Sequence, residues 1–197
     1  IEINGKDNTK LVMWIDANHP SIEMSISGDV AFSAKVRIDP WRTVERQITS
    51  DGLAGWGQGE SEPWNYNEQI EHADTIVDVE GALLWYYRNT PPIASNGPQL
   101  LNRTMGAVIS GDSFKKIDNK TLQASGRRAV DFSVTVLTDT TDFANTYVNR
   151  LLQLHASVGE ESRTDRKEAH DAYWENFWNV SYIYVTGASD AYEITRG

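Results

Sequence analysis

Alternating apolar and polar residues dominate the first part of the chain and predict β-strands. Between positions 22 and 38, apolar side chains fall on every second position on either side of Gly28-Asp29. A period of two is the pattern of a strand with one buried face. Because Ser27-Gly28-Asp29 interrupts this pattern with turn-forming residues, we predict two strands joined as a hairpin.

The same periodicity, less extended, predicts the other strands. Its most regular example places Val130, Phe132, Val134 and Val136 on one face of a strand. Further strands are predicted at 10–16, 43–48, 74–78, 81–88, 105–110, 114–117, 121–125 and 128–138. A Gly-rich segment, 51–64, and a Pro-containing segment, 89–99, are predicted as long loops.

After residue 138 the period changes and predicts helices. Apolar residues recur three or four positions apart, at Phe143, Tyr147, Leu151, Leu154 and Val158. This spacing marks one face of a helix. Residues 139–141 supply N-cap candidates, and Gly159 is the expected stop.

A second helix is predicted from the capping-box-like residues 162–165 to about residue 180. Residues 182–185 read as a short extended piece, and residues 188–197 as the first turns of a third helix. Strands followed by helices indicate segregated layers. We therefore predict a mainly β protein, an antiparallel β-sandwich over 1–138, followed by two to three linker helices over 139–197.

Composition and charge narrow the classes of partner. The 197 residues are 40% hydrophobic and 23% charged, typical of a folded protein, and the formal net charge is −10. Because no basic cluster offsets this charge, nucleic acid and anionic membranes are not expected as partners. No segment approaches the roughly 20 apolar residues of a membrane span. The absence of cysteine removes disulfides and thiolate metal sites.

The sequence contains few patterns of catalytic or metal-binding chemistry. No two of the four histidines are spaced as a helical ligand pair, so no metal is predicted. Gly55, Gly57 and Gly59 lack the buried strand and helix of a dinucleotide site, and no cofactor is predicted. Paired carboxylates are what a glycosidase needs. Six crowd one region, but such a run is usually a solvated face: Glu60, Glu62, Glu68, Glu71, Asp74 and Asp78.

Aromatic residues are the more suggestive feature. Trp56 and Trp64 lie in the Gly-rich loop, where flat rings either stack on sugars or cover the core. In the second helix Tyr173, Trp174, Phe177 and Trp178 form an apolar face too broad for one shallow contact. We expect this face to be covered in part by a following domain, and both ends of the chain look cut.

Several short motifs follow one another in a familiar order. They are Val12–Pro20, Trp41-Arg42, Tyr87-Arg88-Asn89 and Leu100–Gly106, and then His170, Trp174, Phe177-Trp178, Ser181 and Tyr192. In this order they resemble the N-terminal domain of a group of bacterial proteins, common in Bacteroidetes, that are allied to α-L-fucosidase-like glycoside hydrolases. The chain departs from the pattern at Asn179-Val180, where the family often has a basic residue.

This resemblance implies a supersandwich-like β domain, a helical linker and then an (α/α)6 barrel that carries the catalytic carboxylates. The chain itself then has no catalytic residues and supports the barrel of an enzyme that hydrolyses O-glycosyl bonds in plant, host or algal glycans. Trp56, Glu60 and Trp64 become candidates for the rim of its sugar site. A secreted, periplasmic or extracellular protein is implied.

Two other functions remain open. The chain could be a stand-alone carbohydrate-binding module for oligo- or polysaccharides, which would depend on Trp56 and Trp64. It could also be a purely structural β-sandwich, which fits the composition equally well and predicts no contact with sugar.

Overall fold

A computed structural model describes residues 1–47, 70–90 and 100–180 of the chain. The whole loop 51–64, most of the segment 89–99, the extended piece 182–185 and the third helix lie outside these residues. Ten strands precede two helices: β1 Glu2–Asn4, β2 Lys10–Ile15, β3 Ser21–Arg37, β4 Arg46–Gln47, β5 Ile70–Glu71, β6 Thr75–Val79, β7 Ala82–Arg88, β8 Arg103–Ser110, β9 Lys115–Asp118, β10 Thr121–Thr140, α1 Ala144–Val158 and α2 Arg163–Val180. A 3-10 turn, Lys6–Asn8, follows β1.

The strands form one large antiparallel sheet and one small one. In the large sheet the order is β1-β2-β3-β10-β8-β7-β6, and β9 pairs with the first part of β10. β4 and β5 pair separately. The predicted class, mainly antiparallel β with a sandwich-like arrangement followed by helices, is confirmed in these residues.

The hairpin predicted at Gly28 is wrong. β3 runs straight through this position, because both of its halves pair antiparallel with one long strand, from Ser21 opposite Thr135 to Arg37 opposite Thr121. The turn-forming residues instead produce a register shift between β3 and β10. On β10 the irregularity includes Gly126 at φ 65°, a left-handed conformation that glycine adopts without strain. For the same reason the two strands predicted at 121–125 and 128–138 are one.

The large sheet buries apolar side chains on both faces. Leu83 and Ile109 contribute to one core, which also contains residues from both halves of β10, such as Leu122 and Phe132. The neighbouring residues in sequence point the other way, as the period of two requires. Of these, Ala82, Leu84 and Val108 pack against Tyr147 and Leu151 of α1 in a second core.

α1 begins later than predicted. Its N-cap is Phe143, which gives no side-chain cap, and the predicted N-cap residues 139–141 lie before it. Their side chains are otherwise engaged: Asp139 binds Arg150 at 2.6 Å, and the Thr141 hydroxyl donates to the Phe143 carbonyl. Arg88 holds the turn before the helix by donating to the Thr141 carbonyl at 2.7 Å. The predicted stop at Gly159 is confirmed as the C-cap.

α2 begins as the sequence predicts. The backbone N–H of Asp165 donates to the Ser162 hydroxyl oxygen at 3.1 Å, a side-chain cap for the first turn. Within the described residues, neither helix is both long and apolar enough to cross a membrane.

Candidate functional site: a charged cleft and an aromatic helix face

A buried carboxylate on β3 holds the first turns of α2 to the sheet. Glu23 is fully buried, and its two oxygens accept from Arg166 at 2.5 Å and from Arg163 at 2.6 Å. The Ser21 hydroxyl donates to the same carboxylate at 2.7 Å. The Arg166 side chain is only 7% exposed, so this ion pair is shielded from solvent. We call these residues, Ser21, Glu23, Arg163 and Arg166, the clamp.

The end of β2 extends this contact along the helix. The Asp16 side chain is also buried; it lies 3.6 Å from Arg166 and 3.0 Å from the ring of His19. The next turn of α2 brings His170 to the same edge, where its Nδ1 accepts from the Ala17 N–H at 3.2 Å. Its ring lies 5.0 Å from that of Trp14. The first half of α2 is therefore fixed to the sheet at several points.

Beside the clamp, a cleft of about 380 Å³ lies between the sheet and the helices. Strands β3, β8 and β10 supply one wall, and the end of α1 with the start of α2 supplies the other. The cleft is lined largely by polar side chains: Glu23, Ser110, Asp112, Asp131, Ser133, His155, Glu161, Ser162, Arg163 and Arg166.

His155 joins α1 to the sheet inside this cleft. Its Nε2 lies 2.8 Å from the Ser110 hydroxyl, and its Nδ1 lies 2.8 Å from the Thr135 hydroxyl. Burial lowers the pKa of His155 below its ordinary value of 6.5, an effect that the nearby charge of Glu23 partly opposes. The ring is therefore neutral at pH 7, with one nitrogen donating and the other accepting.

The second half of α2 is different, because all of its residues from 171 to 180 are exposed. Tyr173, Trp174, Phe177 and Trp178 lie against one another, with neighbouring ring centroids 5.1–6.5 Å apart. Between 40% and 57% of each of these residues is exposed. We call these four residues the aromatic face. Contiguous apolar surface of this kind marks a contact with protein, a membrane or a ligand.

A cation–π stack lies at the end of the small sheet. The guanidinium of Arg42 is 4.2 Å from the ring centroids of both Trp41 and Tyr87. It also pairs with Glu71 and Asp74 at 3.3 Å each. Burial raises the pKa of Tyr87, and Arg42 partly offsets that effect. The stack joins two of the short motifs named in the sequence analysis, Trp41-Arg42 and Tyr87-Arg88-Asn89.

The candidate sugar-rim residues Trp56, Glu60 and Trp64 lie outside the described residues, as do Glu62 and Glu68 of the carboxylate run. Each of the other three carboxylates of that run is paired with a cation. Glu71 and Asp74 bind Arg42, and Asp78 binds Lys116 at 2.5 Å. Across 1–47, 70–90 and 100–180, no three or more histidine or acidic side chains are grouped as a metal site.

Sequence reasoning missed the clamp and the cleft. Glu23 reads as an exposed residue in the alternating pattern of β3, and Arg166 as an ordinary helix residue. They are 143 positions apart, so no local pattern links them. The capping residues 162–165 were the one available signal, since they fix where α2 begins and thereby place both arginines in its first turns.

The comparisons with known proteins give one family. The N-terminal DUF5703 family (DUF5703_N), described as a domain of unknown function, matches residues 1–97 and 93–183. No curated protein and no solved structure matches the chain. Because the matched segments together span nearly all 197 residues, the chain belongs to the DUF5703 N-terminal domain family.

Proposed function

We propose that the chain is a non-catalytic scaffold domain of a bacterial glycoside hydrolase, and that its aromatic face packs against the helical catalytic domain of the same protein. The observation that carries the proposal is the contrast within α2. Its first half is fixed to the sheet by the clamp, whereas its second half exposes four contiguous aromatic rings. A rigid helix with an exposed aromatic face suits the support of a neighbouring domain.

The motif residues support the same proposal. Asp16, Arg88 and His170 hold α1 or α2 against the sheet, and Arg42 closes the end of the small sheet. Residues that a catalytic site needs would be expected to converge on one another in a pocket. The motif residues of this chain instead hold helices and strands against one another, as expected of a scaffold.

The enzyme class and compartment in the proposal come from the resemblance to α-L-fucosidase-like glycoside hydrolases. It implies a parent that hydrolyses O-glycosyl bonds with carboxylates of an (α/α)6 barrel, in the bacterial periplasm or outside the cell. On the same resemblance, Trp56, Glu60 and Trp64 stay candidates for the rim of the sugar site.

The activity test compares residues 1–197 with the complete polypeptide that the parental gene encodes. Both are assayed for release of sugar from a panel of aryl glycosides and polysaccharides. We expect activity from the complete polypeptide and none from residues 1–197. Hydrolysis by residues 1–197 alone, or an intact native mass equal to the 22.1 kDa of this chain, would refute the proposal.

A stability test addresses the scaffold role separately. Trp174→Ser combined with Trp178→Ser should leave the Tm of residues 1–197 nearly unchanged, because both rings are exposed there. In the complete polypeptide the same change should lower stability by roughly 3–6 kcal/mol, since burying one large side chain contributes about 1.5–3 kcal/mol. Phe143→Ala, at the N-cap of α1 where the ring is 68% exposed, is the matched control and should have little effect in either protein. Equal effects of the double variant in the two proteins would contradict the scaffold role.

A further inference from the structure

The cleft beside the clamp is open and of the size of a small-molecule site. Its volume of about 380 Å³ is at the lower end of the roughly 300–1,000 Å³ that such sites occupy. Asp112, Asp131 and Glu161 form its rim and are exposed. A ligand of about one sugar ring therefore has both room and access.

The floor of the cleft is preorganised. Glu23 and Arg166 are buried and paired with each other, so their positions are fixed before any ligand arrives. Within the described part of the chain, Nε of Arg166 has no hydrogen-bond partner. This nitrogen is itself buried, so the hydrogen-bonding groups that a ligand can reach are those of the rim and of Arg163, whose side chain is 25% exposed.

The charge of the cleft selects among ligands. Four carboxylates line it, on Glu23, Asp112, Asp131 and Glu161, against the two guanidiniums of α2. Because the lowered pKa keeps the cleft's histidine neutral at pH 7, the lining carries a net charge of −2. Such a lining repels anions and attracts cations, so its charge by itself excludes only anionic ligands.

The hydrogen-bonding groups of the cleft further restrict the ligands that fit it. Rim carboxylates only accept hydrogen bonds, guanidiniums only donate, and the hydroxyls of Ser110, Ser133 and Ser162 do both. A ligand that satisfies this mixture must itself donate and accept at several neighbouring positions. Vicinal hydroxyl groups on a small ring meet this requirement without adding charge.

We propose that this cleft is a binding site for a neutral, polyhydroxylated small molecule of the size of one monosaccharide. Asp131 and Asp112 accept hydrogen bonds from its hydroxyls, and Arg163 donates to its oxygens. The site belongs to residues 1–197 alone. It is therefore independent of whether the aromatic face packs against a catalytic domain.

The test is saturation-transfer NMR on residues 1–197 with a panel of neutral aldohexoses and aldopentoses, and with glucuronate and galacturonate as their charged counterparts. We expect saturable binding of at least one neutral sugar, with the uronates at least tenfold weaker. Failure of every neutral sugar to saturate, or uronates that bind as tightly as the neutral sugars, would overturn the site.

Variants locate the binding within the cleft and avoid the buried residues that folding needs. Asp131→Asn and Asp112→Asn should each weaken binding of the neutral sugar at least fivefold. Because each variant removes one negative charge from the cleft, the ratio of neutral-sugar affinity to uronate affinity should also become smaller. Glu80→Gln, at an exposed acid in the turn after β6, is the matched control and should change neither quantity. Unchanged binding in both aspartate variants would place the ligand elsewhere and refute the assignment.

Discussion

Removing the charge of Glu23 should be among the most destabilising single changes in the protein. Its carboxylate is fully buried and accepts from two guanidiniums, at 2.5 and 2.6 Å. Glu23→Gln keeps the shape of the side chain but leaves Arg166, at 7% exposure, without its closest anion. Breaking a buried ion pair from one side costs about 3–5 kcal/mol when the remaining charge is left uncompensated. Here Asp16, 3.6 Å from Arg166, compensates part of that charge, so the lower end of this range is expected.

The size of this effect is measurable by urea unfolding followed by far-UV circular dichroism. With an m-value of about 1–3 kcal/mol/M for a domain, the loss lowers the midpoint by roughly 1–5 M. Arg37→Gln is the matched control. It removes a charge from a pair whose side chains are 63% and 80% exposed, and it should change stability by less than about 1 kcal/mol.

A triple variant separates the charge effect from the loss of packing. Glu23→Leu, Arg163→Met and Arg166→Met together replace the clamp by apolar side chains of similar size. Such replacements are often neutral or stabilising, so the triple variant should be more stable than Glu23→Gln. A loss below about 1 kcal/mol for Glu23→Gln, or a triple variant at least as unstable, would refute the reasoning.

The remaining predictions concern His155, Gly106 and Leu151. Because the pKa of His155 is lowered from 6.5 on folding, its contribution to stability is complete above about pH 6.5 and declines as the pH falls below that value. The Tm of the protein, measured from pH 7.5 to 5, should therefore fall more steeply than the Tm of His155→Gln. Parallel profiles for the two proteins would contradict this. Gly106→Ala should cost about 1–3 kcal/mol in urea unfolding, since a Cβ there would lie 2.2 Å from the Trp85 carbonyl oxygen, whereas Gly5→Ala, with 3.4 Å of space, should cost little. Leu151→Ala, at a fully buried residue, should cost about 2–5 kcal/mol by the same method; a loss below about 1 kcal/mol would mean that α1 does not pack as described.

The strands were predictable because a sheet with buried faces enforces a period of two, and β6, β7 and β8 lie within two residues of their predicted bounds. The hairpin at Gly28 was predicted wrongly for a physical reason. A glycine next to an aspartate favours a tight turn locally, but pairing with the long strand β10 on both sides of it keeps β3 extended. A nonlocal ladder outweighs a local turn preference.

The helices show the same difference between features that local sequence predicts and features that nonlocal contacts decide. Their extents follow from the apolar spacing and from the cap at Ser162. Their attachment to the sheet does not, since it depends on Glu23 meeting Arg166 and on His155 lying between Ser110 and Thr135. These contacts join residues that are 20 to 143 positions apart, and only the folded sheet brings them together. The aromatic face was predictable from sequence because its four residues follow the helical repeat.

The central claim is that the aromatic face of α2 is covered by other parts of the complete protein. Hydroxyl-radical footprinting with mass spectrometry measures this directly, by comparing oxidation of Trp174 and Trp178 in residues 1–197 with that in the complete polypeptide. The account predicts rapid oxidation in residues 1–197 and at least tenfold protection in the complete polypeptide, with Trp41, 68% exposed, as the internal reference in both. Equal oxidation of Trp174 and Trp178 in the two proteins would contradict the account.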